Sequence, residues 1–148
     1  LQRGDTFGGT HQRQYYSLWQ ILIEGINSQT QLINTSHSNI ADITGMTSRF
    51  VSCGSNDSQL NVYFYNRSMR QFTLNQTIEG EGGSCSILDF AIWENRIGVG
   101  RNNGDVYLYE ASSNFSFSKK YSLPGAHSKS VRFINLVDDA SILITAGA

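Results

Sequence analysis

The chain has 148 residues, of which 39% are hydrophobic and 11% are aromatic; this is enough to build the core of an ordinary domain and excludes a disordered composition. The formal net charge of -1 and a pI near 6.3 argue against nucleic acid or an anionic membrane as the main partner. No apolar run approaches the roughly 18 residues that a membrane helix needs.

The predicted elements are short strands separated by polar turns. The first, over residues 15–26, places apolar side chains at helical spacing; we interpret it as a core strand running into a turn, with a helix as the alternative. Beyond it, segments rich in β-branched and aromatic residues alternate with Gly, Asn and Asp. The clear strands are predicted over residues 40–44, 50–53, 60–65, 72–78, 85–93, 96–99, 105–110, 119–123, 131–137 and 141–145.

Landmark residues recur along the chain at a spacing of about 46 residues. A period in the forties with four strands in each unit is typical of a propeller blade, in which each unit is one antiparallel sheet. The landmarks are the glycines that close the second strand, Gly54, Gly100 and Gly147, and the aromatic residues of the third strand, Trp19, Tyr63 and Tyr109.

Residues 37–66, HSNIADITGMTSRFVSCGSNDSQLNVYFYN, resemble a WD40 repeat, and residues 82–112 and 125–148 resemble a second repeat and the first half of a third. Residues 8–25 are similar to the second half of an earlier repeat. The resemblance implies an all-β, WD40-like β-propeller fragment with two full four-stranded blades over residues 36–80 and 81–124. The second half of a blade over residues 1–35 and the first half of a blade over residues 125–148 flank them.

In WD40 proteins a His, a Ser or Thr, an Asp and a Trp form a hydrogen-bonded set that braces each blade. By resemblance, the first full blade keeps the His and the Asp but carries Cys53 where the hydroxyl is expected and a Tyr for the Trp. The second carries Gly83, Val99 and Asn103, so its brace is lost. The residues predicted to brace the blades are His37, Asp57, Tyr63, Tyr109 and His127.

A ring of four to eight blades closes a propeller, and this chain supplies too few strands to do so. Two cut edges with unpaired backbone N–H groups are therefore expected. We expect the remainder of the same propeller to cover them in a longer protein, with a blade-donating partner chain as the alternative.

No catalytic, cofactor-binding or metal-binding constellation is recognised, so we expect a protein that is not an enzyme and that uses no cofactor. His37 and His127 stand at repeat-equivalent positions, which favours bracing over catalysis. Asp42 and Asp89 both lie on first strands, where a propeller enzyme of glycosidase or lyase type could place paired acids. That enzyme is the alternative function.

The resemblance implies a non-catalytic scaffold or adaptor subunit of a multiprotein complex, because loops at one rim of a rigid propeller form a pre-ordered platform for other proteins. Direct binding of nucleic acid or a membrane is not expected. Arg101 is favoured among the contacts, since Arg is enriched in interface hot spots. The predicted contact residues are Asn39, Asn56, Ser84, Arg101, Asn102 and Lys129.

The two cysteines, Cys53 and Cys85, suit a reducing compartment in which each is a small buried hydrophobe, and a disulfide is the alternative. We therefore expect a cytoplasmic or nuclear protein. A secreted binding module is the alternative, favoured weakly by the tripeptide Arg3-Gly4-Asp5 and by Asn-x-Ser/Thr sequons. The sequons begin at Asn34, Asn56, Asn66, Asn75 and Asn114.

Overall fold

The computed structural model describes residues 15–21, 29–46, 48–80, 83–91, 95–137 and 142–148. These residues contain twelve β-strands and no helix, which confirms the all-β class, and Tyr15 begins a strand where a helix was the alternative. The first six strands are β1 (Tyr15–Ile21), β2 (Gln29–Asn34), β3 (Ile40–Met46), β4 (Arg49–Gly54), β5 (Leu60–Asn66) and β6 (Gln71–Ile78). The others are β7 (Cys85–Ala91), β8 (Arg96–Arg101), β9 (Val106–Ala111), β10 (Phe117–Leu123), β11 (Val131–Val137) and β12 (Ile142–Gly147).

The described strands pair antiparallel in four sheets, numbered here in chain order. The first sheet is the hairpin β1-β2, and the fourth is the hairpin β11-β12. The second sheet has the order β3-β4-β5-β6 and the third has the order β7-β8-β9-β10, so consecutive strands are always neighbours. Among the described residues, no helix has the length and apolar character needed to cross a membrane.

The sheets pack face to face in chain order. Successive side chains of a strand point to opposite faces, so Phe50 packs with Ile33 of the first sheet while Val51 packs with residues of the third sheet. The cluster between the third and fourth sheets includes Val106, Val131 and Ile134. Each four-stranded sheet therefore has apolar residues on both faces, and the interfaces form one continuous stack.

The pairing of the strands shows which residues are equivalent in the different sheets, and it does so more directly than the sequence spacing of the glycine landmarks. In each of the last three sheets, the pairing of the first and second strands becomes irregular just after one pair: Ile40 with Gly54, Cys85 with Arg101, and Val131 with Gly147. Arg101 is therefore the equivalent of Gly54 and Gly147, and Gly100 is not. The glycine landmark was wrong by one residue in the third sheet, because connections of unequal length shift equivalent positions along the chain.

A disulfide joins Cys53 of β4 to Cys85 of β7, with 5.9 Å between the two Cα atoms. Both cysteines are buried, as expected, but the interpretation as free thiols is wrong. The cysteines are 32 residues apart in sequence. They meet because the face of the second sheet that carries Cys53 packs against the third sheet.

Candidate functional site

His37 ties together three segments at one end of the second sheet. Its imidazole is fully buried; Nδ1 lies 3.1 Å from Asp57 Oδ2, and Nε2 lies 3.2 Å from Ser52 Oγ. The loop before β3 is thereby fixed to β4 and to the turn between β4 and β5. The hydroxyl comes from Ser52 and not from Cys53, because neighbouring residues on a strand face opposite ways and Cys53 points toward the third sheet.

Tyr63 completes this set. Its side chain hydrogen-bonds with Asn61 and Ser52, and burial raises the pKa of its hydroxyl to about 12 against the partial opposing effect of these hydrogen bonds. Asn61 Nδ2 also lies 3.4 Å from His37 Nε2. The structure thus brings together His37, Asp57 and Tyr63, which the sequence had grouped.

The same arrangement recurs in part in the fourth sheet. His127 Nε2 lies 2.8 Å from Thr145 Oγ1. Thr145 pairs with Ile134 as Ser52 pairs with Ile43, so the two hydroxyl residues hold equivalent positions. A Cβ added to Gly147 would lie 2.7 Å from His127 Cβ, so the histidine packs where only a glycine leaves room.

The third sheet replaces the histidine brace with an arginine. Val99 pairs with Leu88 at the position that Ser52 and Thr145 hold in the other two sheets, so the hydroxyl is missing there. At the position where the other two sheets carry glycine, this sheet carries Arg101. A strand-end glycine in the second and fourth sheets is therefore exchanged for a strand-end arginine in the third.

Arg101 is fully buried, which corrects its assignment as an exposed interface residue. Its Nη1 donates a hydrogen bond of 3.1 Å to the carbonyl oxygen of Ser58 in the second sheet's β4–β5 turn, and Cζ lies 5.5 Å from the ring centroid of Tyr107. Among the described residues, no acceptor pairs with its Nε or Nη2. The side chain joins two sheets and presents no surface to a partner.

Tyr109 occupies the same place in the third sheet as Tyr63 in the second. Each is buried and lies opposite a core residue of the second strand, Ile97 for Tyr109 and Phe50 for Tyr63. Each belongs to the cluster shared with the preceding sheet. The Ser52 hydroxyl that bonds Tyr63 has no counterpart beside Tyr109, because Val99 holds the equivalent position.

The other five predicted contact residues lie at the same end of the sheets, and we call them the rim residues. Asn56 and Asn102 are exposed in equivalent turns: Asn56 Nδ2 donates to Ser38 Oγ at 3.4 Å, and Asn102 Nδ2 donates to Ser84 Oγ at 2.8 Å. Lys129 is exposed, and Asn39 and Ser84 are half-buried. The rim residues are Asn39, Asn56, Ser84, Asn102 and Lys129.

Backbone hydrogen bonds connect the rim loops from one sheet to the next. The N–H of Cys85 donates to Asp57 O at 3.3 Å, and the N–H of His127 donates to Gly104 O at 3.0 Å. Gly104 has a φ of 93°, and a Cβ there would collide with the carbonyl of His127, so glycine is required. The loops are therefore held at fixed positions.

Asp105 anchors the last of these loops. Its Oδ1 accepts a hydrogen bond of 2.7 Å from the N–H of Gly125, and its Oδ2 accepts one of 3.1 Å from Tyr107 Oη. The Gly125 N–H lowers the pKa of Asp105, with burial acting in the opposite direction. The segment that carries Lys129 is thus bonded to the start of β9.

The two acids considered for catalysis bind backbone amides. Asp42 Oδ2 accepts a hydrogen bond of 2.9 Å from the N–H of Leu88, and Asp89 Oδ2 accepts one of 2.7 Å from the N–H of Leu136. Each carboxylate thus links the first strand of one sheet to the first strand of the next. This arrangement favours bracing over acid–base chemistry.

The Arg3-Gly4-Asp5 tripeptide lies outside the described residues, and nothing is described of the Trp19 side chain. Within the part of the chain that is described, no three His, Cys, Asp or Glu side chains gather to hold a metal ion.

No protein-family model matches this chain, and no curated protein sequence matches it.

Proposed function

We propose that the chain is part of a WD40-like propeller whose rim residues bind another protein, as a non-catalytic scaffold or adaptor of a multiprotein complex. The observation that carries this proposal is the rim: exposed Asn56, Asn102 and Lys129 stand at one end of three successive sheets, on loops bonded to one another. Loops ordered before binding lose little conformational entropy on association, which favours affinity.

The stacking of the sheets supports the propeller part of the proposal. Equivalent strand pairs recur in the second, third and fourth sheets, and Tyr63 and Tyr109 face the preceding sheet in the same way. Repeated units that each pack only on their neighbours are typical of blades and solenoids. His37 and His127 fix their rim loops to their own sheets, and Arg101 bonds the third sheet to the β4–β5 turn of the second.

A groove of about 390 Å³ between the third and fourth sheets supports the expectation of further strands. Leu108, Tyr121, Leu123 and Leu143 line it, and β12 has no described strand on its second edge. β4 is the strand of the second sheet that is equivalent to β12, and β4 pairs with β5 on the corresponding edge. We propose that the remainder of the propeller, or a blade-donating chain, adds strands here.

A charge-matched pair of variants tests the binding surface. The rim variant Asn102→Arg/Lys129→Glu and the control variant Ser113→Arg/Arg70→Glu change the net charge equally, and all four side chains are exposed. Ser113 and Arg70 lie in the β9–β10 and β5–β6 turns, at the opposite end of the sheets. Neither variant alters a sequon.

Both variants are to be used as bait in affinity purification of the natural full-length protein, after their unfolding midpoints are shown to match the parent. We expect the rim variant to lose at least about tenfold of its affinity for the main partner while the control keeps it. A tenfold loss corresponds to about 1.4 kcal/mol, and substitution of an interface hot spot costs about 2 kcal/mol or more. Identical partner sets for the two folded variants would remove the rim assignment.

A secreted binding module is the second candidate, and the Cys53–Cys85 disulfide favours it over the cytoplasmic or nuclear setting. Disulfides form and persist in oxidising compartments and are rare in the cytosol and nucleus. Alkylation of the natural protein under denaturing conditions, without reductant, decides between the settings. Cysteines that do not react with the alkylating reagent would support a secreted protein. Cysteines that react would support a cytoplasmic or nuclear protein.

A further inference from the structure

The five sequon asparagines all lie on the surface. Asn34, Asn56, Asn75 and Asn114 are exposed and Asn66 is half-buried, so none would need to leave the core to carry a glycan. An Asn-x-Ser/Thr tripeptide is an acceptor for N-linked glycans only in the secretory pathway. The Cys53–Cys85 disulfide is a separate observation that points to the same pathway.

Three of these asparagines adjoin large apolar side chains that are exposed. Met69 is 56% exposed, and its N–H donates to Asn66 Oδ1 at 3.1 Å. Leu74, 55% exposed, directly precedes Asn75, and Phe115, 37% exposed, directly follows Asn114. Asn34 and Asn56 have no such sequence neighbour. Within the described part of the chain, the other large exposed apolar residues lie on β10, β11 and β12: Tyr121, Leu123, Phe133, Ile142 and Ile144.

The same three asparagines surround a strand edge. Asn75 lies on β6, the last strand of the second sheet, and Asn66 lies at the β5–β6 turn. Asn75 Nδ2 donates a hydrogen bond of 3.3 Å to the carbonyl oxygen of Phe115, which brings the Asn114 turn beside β6. Exposed edge strands pair with other chains unless something covers them.

We propose that Asn66, Asn75 and Asn114 carry N-linked glycans that cover Met69, Leu74, Phe115 and the β6 edge. The donor is a lipid-linked oligosaccharide. The asparagine Nδ2 forms a bond to the anomeric carbon of the first sugar, the bond from that carbon to the lipid diphosphate breaks, and Nδ2 gives up one proton. The lipid diphosphate leaves, and no oxidation or reduction occurs.

The three glycans stand at the end of the sheets opposite the rim residues or on the outer edge, because consecutive turns of an antiparallel sheet alternate between its two ends. Asn66 and Asn114 lie in turns between third and fourth strands, whereas Asn56 and Asn102 lie in turns between second and third strands. The glycans therefore leave the rim open. The inference does not depend on the rim binding a protein.

The first test is site mapping on the protein purified from its natural source. Peptide N-glycosidase treatment converts each glycosylated Asn to Asp, which mass spectrometry of the peptides detects. We expect conversion at Asn66, Asn75 and Asn114. Unmodified peptides at all three positions, or reactive Cys53 and Cys85 thiols in the same sample, would overturn the proposal.

The second test asks whether the glycans cover the apolar patch. The full chain with Asn66→Gln/Asn75→Gln/Asn114→Gln is to be secreted from a eukaryotic host, beside the control Asn34→Gln/Asn56→Gln. We expect the triple variant alone to self-associate and to bind a hydrophobic dye more strongly. If it is folded, as its unfolding midpoint reports, and remains as monomeric and as poor in dye binding as the control, the covering role is wrong.

Discussion

The carboxylate of Asp42 on β3 accepts a 2.9 Å hydrogen bond from the backbone N–H of Leu88 on β7. Because β7 is the first strand of its sheet, its alternate N–H groups point away from β8 and find no partner strand in that sheet. Asp89 on β7 bonds the N–H of Leu136 on β11 in the same way. A side chain from the second sheet and one from the third thus each satisfy an edge amide of the next sheet.

Removal of the Asp42 carboxylate should destabilise the fold. Asp42→Ala leaves the buried amide of Leu88 without its acceptor, and we expect a loss of about 1–3 kcal/mol in the free energy of unfolding. Asp42→Asn keeps one acceptor oxygen and should lose less. Denaturant titration measures both, with the exposed Glu79→Ala as a control expected within about 0.5 kcal/mol of the parent. An Asp42→Ala variant as stable as the control would contradict the bracing role.

Reduction of the Cys53–Cys85 disulfide should also destabilise the protein. The bridge closes a loop of 32 residues, and the loop entropy removed from the unfolded chain corresponds to about 3–4 kcal/mol. We expect the free energy of unfolding to fall by this amount, and the unfolding midpoint to fall with it, when a reductant is added. The Cys53→Ala/Cys85→Ala variant provides the control, since its midpoint should not respond to the reductant.

Tyr63 should make stability fall at alkaline pH. Its folded pKa is about 12, above the ordinary value of 10.0, so between these values the unfolded chain loses the tyrosine proton while the folded chain keeps it. The unfolded state then binds fewer protons, and the free energy of unfolding decreases as the pH rises from about 10 to about 12.

Tyr63→Phe lacks this proton and should show a shallower decline in unfolding midpoint over the same pH range. Burial also raises the pKa of Tyr107, so Tyr107→Phe is the appropriate comparison and should flatten the profile in part. If the plots of unfolding midpoint against pH are parallel for the parent and Tyr63→Phe, folding does not raise the pKa of the Tyr63 hydroxyl.

Arg101 should tolerate an apolar replacement better than an acidic one. Arg101→Met gives up the hydrogen bond to Ser58 O and the contact with Tyr107, but it also removes a buried charge with two unpaired nitrogens. Such exchanges are often close to neutral, and we expect a change within about 2 kcal/mol.

Arg101→Glu would place a carboxylate against the Ser58 carbonyl and near Asp105, so we expect a loss of at least about 3 kcal/mol. Thermal and denaturant unfolding of the two variants give the comparison. Equal stability of Arg101→Glu and the parent would mean that residue 101 reaches solvent and would restore it as a candidate partner contact.

Much of the fold was predictable from local patterns. The predicted segments 40–44, 50–53, 60–65 and 72–78 fall within β3, β4, β5 and β6, because period-two alternation and polar turns act over a few residues. The grouping of His37 with Asp57 was also predictable, since both residues belong to one short repeat. The sequence did not predict that Ser52, rather than Cys53, supplies the hydroxyl to His37. Adjacent residues on a strand point to opposite faces, and the sequence alone does not say which face each one takes.

The burial of Arg101 was not predictable from the sequence. Its position in a polar turn next to Asn102 indicated exposure, and an arginine is rarely fully buried. The side chain is enclosed by the Ser58 carbonyl, the Tyr107 ring and Gly80, where an added Cβ would lie 2.5 Å from Arg101 Nη2. These groups come from separate strands and loops.

The order of residues along the chain was sufficient to place strands, turns and a repeat of about 46 residues, because backbone pairing within a hairpin depends on near neighbours. The tertiary structure alone decided that Cys53 bonds to Cys85, that Asp42 and Asp89 reach the next sheet, and that Arg101 is enclosed. Each of these relationships crosses from one sheet to its neighbour. Such contacts depend on how two faces pack, and that geometry is not encoded in any single segment.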